Sequence, residues 1–185
     1  MITPVEENVK EPFKTDLQAI RKRAREHMSD GAVTSGRKGD VGPIIDVLNE
    51  VLATEIVCVL RYRNHYYMAT GIDSAGVAAE FLATAAEEQQ HANWISARIV
   101  QLGGKPNLDP AGLATRAHSE YEEGDTLEAM MKEDLAAERI AVETYTEIIQ
   151  WLGNDDPTTR QLMIEILKME EEHAEEFVSL LGGRA

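Results

Sequence analysis

Apolar residues recur at alternating steps of three and four along four long segments of the chain, a pattern typical of helices that bury one face. Helix-boundary residues flank these segments: Pro43 lies in the opening turn of the first, Gly71 follows it, and Gly153 follows the third. The sequence therefore predicts an all-α protein with four long helices. They cover residues 41–70, a segment from Asp73 or Ser74 to 102, then 125–152 with Asp125 as its cap, and 156–181 before Gly182 and Gly183.

The connections between these helices predict their topology. The first and second helices are joined by a short turn, as are the third and fourth, so each pair is expected to be antiparallel. Residues 103–124 are a long connection for a compact domain, and they suit a crossover that runs the length of a four-helix bundle. We expect residues 41–185 to form this bundle. Residues 1–40 are predicted to be a partly ordered extension with one short helix around Phe13–Met28.

Ionisable residues interrupt the apolar stripes near the middle of all four helices. The motif Glu-x-x-His occurs twice, and a lone glutamate precedes the two copies by 33 and 32 residues respectively. Glutamate and histidine three residues apart share a helix face, and mid-helix positions of an up-and-down bundle meet at one level. We therefore expect six side chains to converge in the core: Glu55, Glu88, His91, Glu138, Glu170 and His173.

A buried cluster of this kind is expected to bind cations. An unpaired buried carboxylate is costly, and four together raise one another's pKa values. Two divalent ions balance four carboxylates, with the imidazoles as neutral ligands, and this is the ligand set of dimetal carboxylate bundles. A single Glu-x-x-His on a helix is usually a solvated pair. Its matched repetition on apolar stripes favours a two-metal site with all six residues as ligands.

Composition and charge narrow the classes of function. Residues 1–40 carry 8 basic and 7 acidic groups, whereas residues 41–185 carry 10 basic and 26 acidic groups. An acidic body attracts cations and repels nucleic acid. No apolar run approaches the roughly 18 residues that span a membrane. A single cysteine, Cys58, and the lack of a signal-like start favour the cytoplasm.

The ligand motifs resemble those of the bacterioferritin and Dps-like branch of the ferritin superfamily. The likeness covers about residues 41–181 and is carried by segments 48–55, 87–92, 134–138 and 163–173. It implies a di-iron ferroxidase centre with two Fe ions per chain, Mn or Zn being substitutes, and Glu88 and Glu170 as bridging ligands. It also implies that Tyr62 lies near the irons and supplies an electron. The alternative is that Tyr62 is a core tyrosine bonded to a ligand carboxylate.

Departures from that family limit the resemblance. Gln89 stands where bacterioferritin has its haem-binding methionine, so we expect no haem. The sequence lacks the short fifth helix that packs around the four-fold axis of the bacterioferritin cage. A homo-oligomeric dimer or dodecamer is therefore expected rather than 24 subunits. The ligands fit a site within one subunit, whereas Dps usually places its iron between subunits.

These observations favour a ferroxidase that oxidises Fe(II) with O2 or H2O2 for iron storage and detoxification. The alternative is a peroxide-scavenging dimetal enzyme like rubrerythrin or manganese catalase. A third class is a DNA-binding or encapsulated module with structural metals, since Arg21, Lys22, Arg23 and Arg25 could contact phosphates.

The remaining residues of interest have plainer interpretations. We expect Cys58 to be a small buried apolar residue and Arg98 to pair with an acid near a helix end. Packing or surface roles are expected for His27, His65, His118, Trp94 and Trp151.

Overall fold

The protein's structure, a computed structural model, describes residues 13–37, 40–71 and 74–182. This part of the chain contains α-helices and no strand. The helices are α1 (Leu17–Arg23), α2 (Val41–Met68), α3 (Ser74–Gln101), α4 (Leu113–Arg116), α5 (Leu127–Leu152) and α6 (Pro157–Leu180). The four long helices confirm the predicted bundle. Their ends lie within about two residues of the predicted ones, as expected for frayed helix termini.

The four long helices pack in two pairs. Helix α2 packs against α3 and α5 against α6, while contacts of α3 with α6 and of α2 with α5 close the bundle. The core consists of two apolar clusters separated along the helices. One contains Leu48, Leu52, Ile95, Met163 and Ile166, and the other contains Cys58, Tyr62, Phe81 and Phe177. Within the described ranges, no helix has the length and apolar character needed to cross a membrane.

Side-chain caps define four of the helix starts, those of α1 at Asp16, α2 at Asp40, α5 and α6. The predicted cap of α5, Asp125, is wrong by one residue, because Thr126 occupies that place and its hydroxyl accepts a hydrogen bond from the Ala129 amide at 3.1 Å. Asp156 caps α6 by accepting from the Thr159 amide at 3.2 Å. Two other predicted boundary residues, Asp73 and Gly183, lie outside the described residues.

The crossover between α3 and α5 lies along α2. Asn49 accepts a hydrogen bond from the Asn107 amide at 2.7 Å, Thr54 accepts from the His118 amide at 2.9 Å, and Arg61 donates to the Glu120 carbonyl at 2.9 Å. These three α2 residues span 12 positions, which is about 18 Å of helix. The connection was predicted to have little helical pattern, and it contains the single turn α4.

The N-terminal extension is held against one end of the bundle. Helix α1 is shorter than the predicted 13–28, and a 3-10 turn at Met28–Asp30 follows it. Arg37 donates to Asp156 at 2.6 Å, and Arg98 donates to the same carboxylate at 2.8 Å. Arg98 therefore pairs with an acid, as predicted. Burial would raise the pKa of Asp156, but hydrogen bonds from Thr159 and the two arginines lower it to about 2.

Candidate metal centre

All six predicted ligands meet between the two apolar clusters. Helix α2 supplies Glu55, α5 supplies Glu138, and α3 and α6 each supply one Glu-x-x-His pair. Every one of the six side chains is buried, the most accessible being His173 at 4%. They converge because each occupies the inward stripe at a middle turn of its helix, so the bundle itself sets their common level.

The six residues form two overlapping groups of ligand atoms. One group consists of Glu55, Glu88, His91 and Glu170, and the other of Glu88, Glu138, Glu170 and His173. In each group the four ligand atoms lie within 4.8 Å of one another. Glu88 and Glu170 belong to both groups, which is the placement that two bridging carboxylates require.

Both histidines turn the same ring nitrogen toward the carboxylates. Nδ1 of His91 lies 3.3 Å from Glu55 and Glu88 and 3.1 Å from Glu170. Nδ1 of His173 lies 3.3 Å from Glu170 and 3.6 Å from Glu88. Nδ1 is therefore the ring nitrogen of each histidine that faces the cluster, and Nε2 faces away from it.

The carboxylates are incompletely satisfied by protein donors. One oxygen each of Glu55, Glu138 and Glu170 is buried without a well-formed hydrogen bond, and the polar atom close to it, at 3.1–3.6 Å, is a histidine Nδ1 of the same centre. Orphaned buried oxygens are uncommon in folded proteins and point to a missing ion or proton. Carboxylate oxygen and imidazole nitrogen also suit Fe, Mn and Zn ions, so the donor set fits two divalent cations.

Electrostatics at the centre follow from burial and crowding. Burial raises the pKa of Glu88, and the charges of Glu170 and Glu55 raise it further. Burial and the charge of Glu138 raise the pKa of Glu170 to about 7. Both carboxyls are therefore harder to ionise than an exposed glutamate when no cation is present.

The pKa values of the two imidazoles are also raised, but by a different cause. Burial lowers the pKa of His91, but hydrogen bonds to Glu170, Glu55 and Glu88 outweigh it and raise the pKa well above its usual value. Hydrogen bonds to Glu138 and Glu170 likewise raise the pKa of His173 to about 12 against the effect of burial. A cation entering the centre must displace these protons.

Two tyrosines bond to the outer glutamates. The Tyr62 hydroxyl donates to Glu138, a predicted ligand carboxylate, and this contact fits both interpretations of Tyr62. The Tyr145 hydroxyl donates to Glu55 in the matching position, a role that the sequence reasoning missed. The signal was present, because Tyr145 follows Glu138 by seven residues just as Tyr62 follows Glu55.

The outer nitrogens of the two histidines have different partners. Nε2 of His173 lies 3.0 Å from a carboxylate oxygen of Glu87, whose side chain is 49% exposed. Nε2 of His91 lies 3.2 Å from the Met169 sulfur. Neither contact was predicted.

A buried ion cluster lies one helical turn from the centre and was also missed. Asp134 receives a hydrogen bond from Nε of Arg61 at 3.0 Å, and its other oxygen lies 2.8 Å from Nδ1 of His65. All three side chains are at most 1% exposed. His65 thus has a specific buried partner, beyond the packing role expected of it. The Arg61 guanidinium carbon also lies 5.7 Å from the centre of the Tyr62 ring.

Other residues of interest lie away from the centre or at the surface. Cys58 is buried 3.7 Å from the Ser119 hydroxyl, and burial raises the pKa of its thiol, as suits a small apolar residue. His118 lies 3.6 Å from Glu50. The remaining ones are partly or fully exposed: His27, Trp94, Trp151 and the basic residues Arg21, Lys22, Arg23 and Arg25.

A helical bundle with four carboxylates and two imidazoles buried at its middle belongs to the class of ferritin-like proteins. The sequence pattern of the Ferritin family, described as a ferritin-like domain, matches residues 45–184. The chain therefore belongs to the Ferritin family.

Named relatives lie in two branches of the family. The DNA protection during starvation protein of Pyrococcus furiosus is 33% identical over 78% of this chain and 80% of its own length. A bacterioferritin of Desulfovibrio desulfuricans is 25% identical over 76% of this chain and 75% of its own length. A solved structure of the bacterioferritin-related protein from Bacteroides fragilis, named a dodecameric thioferritin, superposes with a TM-score of 0.74 at 32% identity. That match covers 77% of this chain and 86% of the other.

Proposed function

We propose that the protein is a ferroxidase whose two-metal centre binds two Fe(II) ions per chain and oxidises them to Fe(III) for iron storage or detoxification. The supporting observation is the pair of overlapping ligand groups that share Glu88 and Glu170. In this arrangement Glu55 and His91 complete one position, and Glu138 and His173 complete the other. The centre lies within a single chain.

The chemistry follows from the ligands. Four carboxylates balance the charge of two Fe(II) ions, and hard oxygen donors stabilise the ferric product relative to the ferrous ion. Two irons supply two electrons together, which is what reduction of O2 to H2O2, or of H2O2 to water, requires. Burial between two apolar clusters keeps bulk water from the ions and strengthens every ion–ligand interaction. We further propose that Tyr62 supplies an electron to the centre, and its hydrogen bond to Glu138 supports this role.

The test is stoichiometric. Mixing the metal-free protein with Fe(II) in air should give rapid formation of ferric absorbance that saturates at two irons per chain. Glu88→Gln keeps the volume of the side chain but removes a charge from both ligand groups, so rapid oxidation should be lost. Gln89→Ala changes the exposed neighbouring residue and should leave the rate unchanged. Iron oxidation no faster than in buffer would refute the ferroxidase proposal.

The oxidant and the assembly need separate measurements. Supplying H2O2 without oxygen distinguishes the two oxidants, and sustained peroxide turnover with little iron oxidation would favour the peroxide-scavenging alternative.

We propose a cytoplasmic, haem-free homo-oligomer, a dodecamer or dimer. The name of the Bacteroides fragilis protein supports the dodecamer. A native mass spectrum with a metal count tests both. A gel-shift assay with and without residues 1–40 tests DNA contact by the exposed basic residues.

A further inference from the structure

The centre has two halves, one supplied by α2 and α3 and the other by α5 and α6. The contacts of the two halves match except at one position. In each half a tyrosine seven residues after the lone glutamate bonds to the lone glutamate of the other half. In each half, too, the residue just before the shared glutamate contacts the histidine of the other half. In the α3 half this residue is Glu87, which contacts His173, whereas in the α6 half it is Met169, which contacts His91.

The two contacts have different chemical effects on the ring. When Nδ1 binds a cation, its lone pair must be free, so the ring proton lies on Nε2 and points outward. Glu87 can accept that proton in a charge-assisted hydrogen bond, which fixes the ring and makes Nδ1 a stronger donor. The Met169 thioether is only a weak acceptor and carries no charge. His91 therefore lacks the support that His173 has.

The other groups near the centre do not give His91 the support that Glu87 gives His173. The cation Arg61 lies toward the Glu138 half, but Asp134 bonds to it directly and offsets its charge. The ring of Trp94 is 5.7 Å from that of His91 and offers an apolar face. Half exposure of Glu87 weakens its hydrogen bond through competition with water, yet its negative charge still acts on the nearby position.

We propose that Met169 and Glu87 make the two metal positions unequal, so that a divalent ion occupies the Glu138–His173 position first and the Glu55–His91 position second. This inference rests on the proposed function, since it concerns the same centre. Loss of a carboxylate that supports a metal-bound histidine typically lowers affinity about 10- to 100-fold. We expect a difference of at least about tenfold between the two binding steps. Met169 and Glu87 are positioning residues, because each acts through a histidine.

The experiment is an anaerobic titration of the metal-free full-length protein with Co(II), followed by visible absorption and calorimetry. The wild-type protein should bind two ions in two resolved steps. Met169→Glu has nearly the same length and gives His91 a carboxylate, so the weaker step should tighten about 10- to 100-fold while the tighter step stays in place. Glu87→Gln should weaken only the tighter step, by a similar factor.

Two control variants separate hydrogen bonding from bulk and charge. Met169→Leu removes the sulfur and should leave both steps nearly unchanged, because the thioether contributes little. Gln90→Glu adds the same charge on the exposed side of α3, next to His91, and should tighten both steps slightly and together. Met169→Glu and Glu87→Gln should each change the affinity of a single binding step. A variant that only disturbed the structure would change the affinities of both steps together.

The outcomes separate this inference from the proposed function. Two steps of equal affinity, or equal responses of both steps to Met169→Glu, would overturn the inference and leave the ferroxidase proposal standing. Unequal steps in a protein that does not oxidise Fe(II) would refute ferroxidase activity alone. Absence of cobalt binding would overturn both.

Discussion

Removal of the Asp134 charge should strongly destabilise the protein, because it leaves a buried cation without a counterion. The Arg61 guanidinium is 1% exposed and bonds to Asp134 at 3.0 Å. Two unit charges about 4 Å apart interact by about 4 kcal/mol at an effective dielectric constant near 20. Measured costs of removing one member of a buried pair are about 3–5 kcal/mol. We expect Asp134→Asn to lower the free energy of unfolding by that amount.

Replacement of both charges should have a much smaller effect. Burial raises the pKa of Asp134 even though His65 and Arg61 oppose it, so the ion pair does not recover the full cost of removing the carboxylate from water. Apolar replacement of a buried pair is often neutral or stabilising. The double variant Arg61→Met/Asp134→Leu should therefore be more stable than Asp134→Asn, since His65 loses its Asp134 carboxylate in both but only the single variant keeps an unpaired buried cation.

Urea unfolding with EDTA, followed by circular dichroism at one protein concentration, measures these differences. The exposed pair Lys132–Glu128 is the control, and Lys132→Met should leave the unfolding curve nearly unchanged. A loss below about 1 kcal/mol for Asp134→Asn would refute the argument, since such a value is typical of exposed pairs. A double variant whose loss equals the sum of the two single losses would also refute it, because the two charges would then act independently.

Three further outcomes are expected. Tyr62→Phe and Tyr145→Phe should each lower the stability of the metal-free protein by about 1.5–3 kcal/mol in the same urea assay, because a buried carboxylate loses its donor, and a loss at only one site would contradict the matched contacts. Cobalt affinity should rise steadily from pH 6 to pH 8, because the raised pKa values of His91 and His173 keep both rings protonated in that range and each bound ion must release protons; an affinity independent of pH in the titration would contradict this. Asp156→Ala should release the N-terminal extension, seen as faster amide hydrogen exchange over residues 17–37 with no change in the middle of α2.

The sequence predicted the bundle well because long helices carry a repeated signal. Each long helix has at least 24 residues, so a stripe of apolar residues recurs over several turns. Capping and helix-breaking residues are then needed only to define the helix ends. The same periodicity located the six buried ionisable residues, because charged groups on an apolar stripe stand out against their neighbours.

The buried face of α5 includes small residues as well as large ones. Leu135, Val142 and Ile149 are large and apolar, yet they are only half buried. Ala137 and Ala141 are buried, and their small side chains let neighbouring helices approach closely. Hydrophobicity gives greater weight to larger side chains, so the apolar pattern alone does not identify this part of the buried face.

Contacts between distant residues could not be predicted from one sequence. Arg61 and Asp134 are 73 positions apart, and nothing in the local pattern of either helix indicates the pairing. The contact between Met169 and His91 has the same character. Tyr145 differs from both, because comparison of the two halves of the repeat would have found it.

The charge balance of the centre indicates what an entering cation must displace. Burial lowers the pKa values of His91 and His173, but hydrogen bonds to the carboxylates outweigh it and raise them. Burial and the neighbouring carboxylates raise the pKa values of Glu88 and Glu170 as well. Protons therefore offset part of the negative charge of the four carboxylates when no metal is bound, and two divalent ions take their place on loading. The cost of loading thus includes the deprotonation of the ligands.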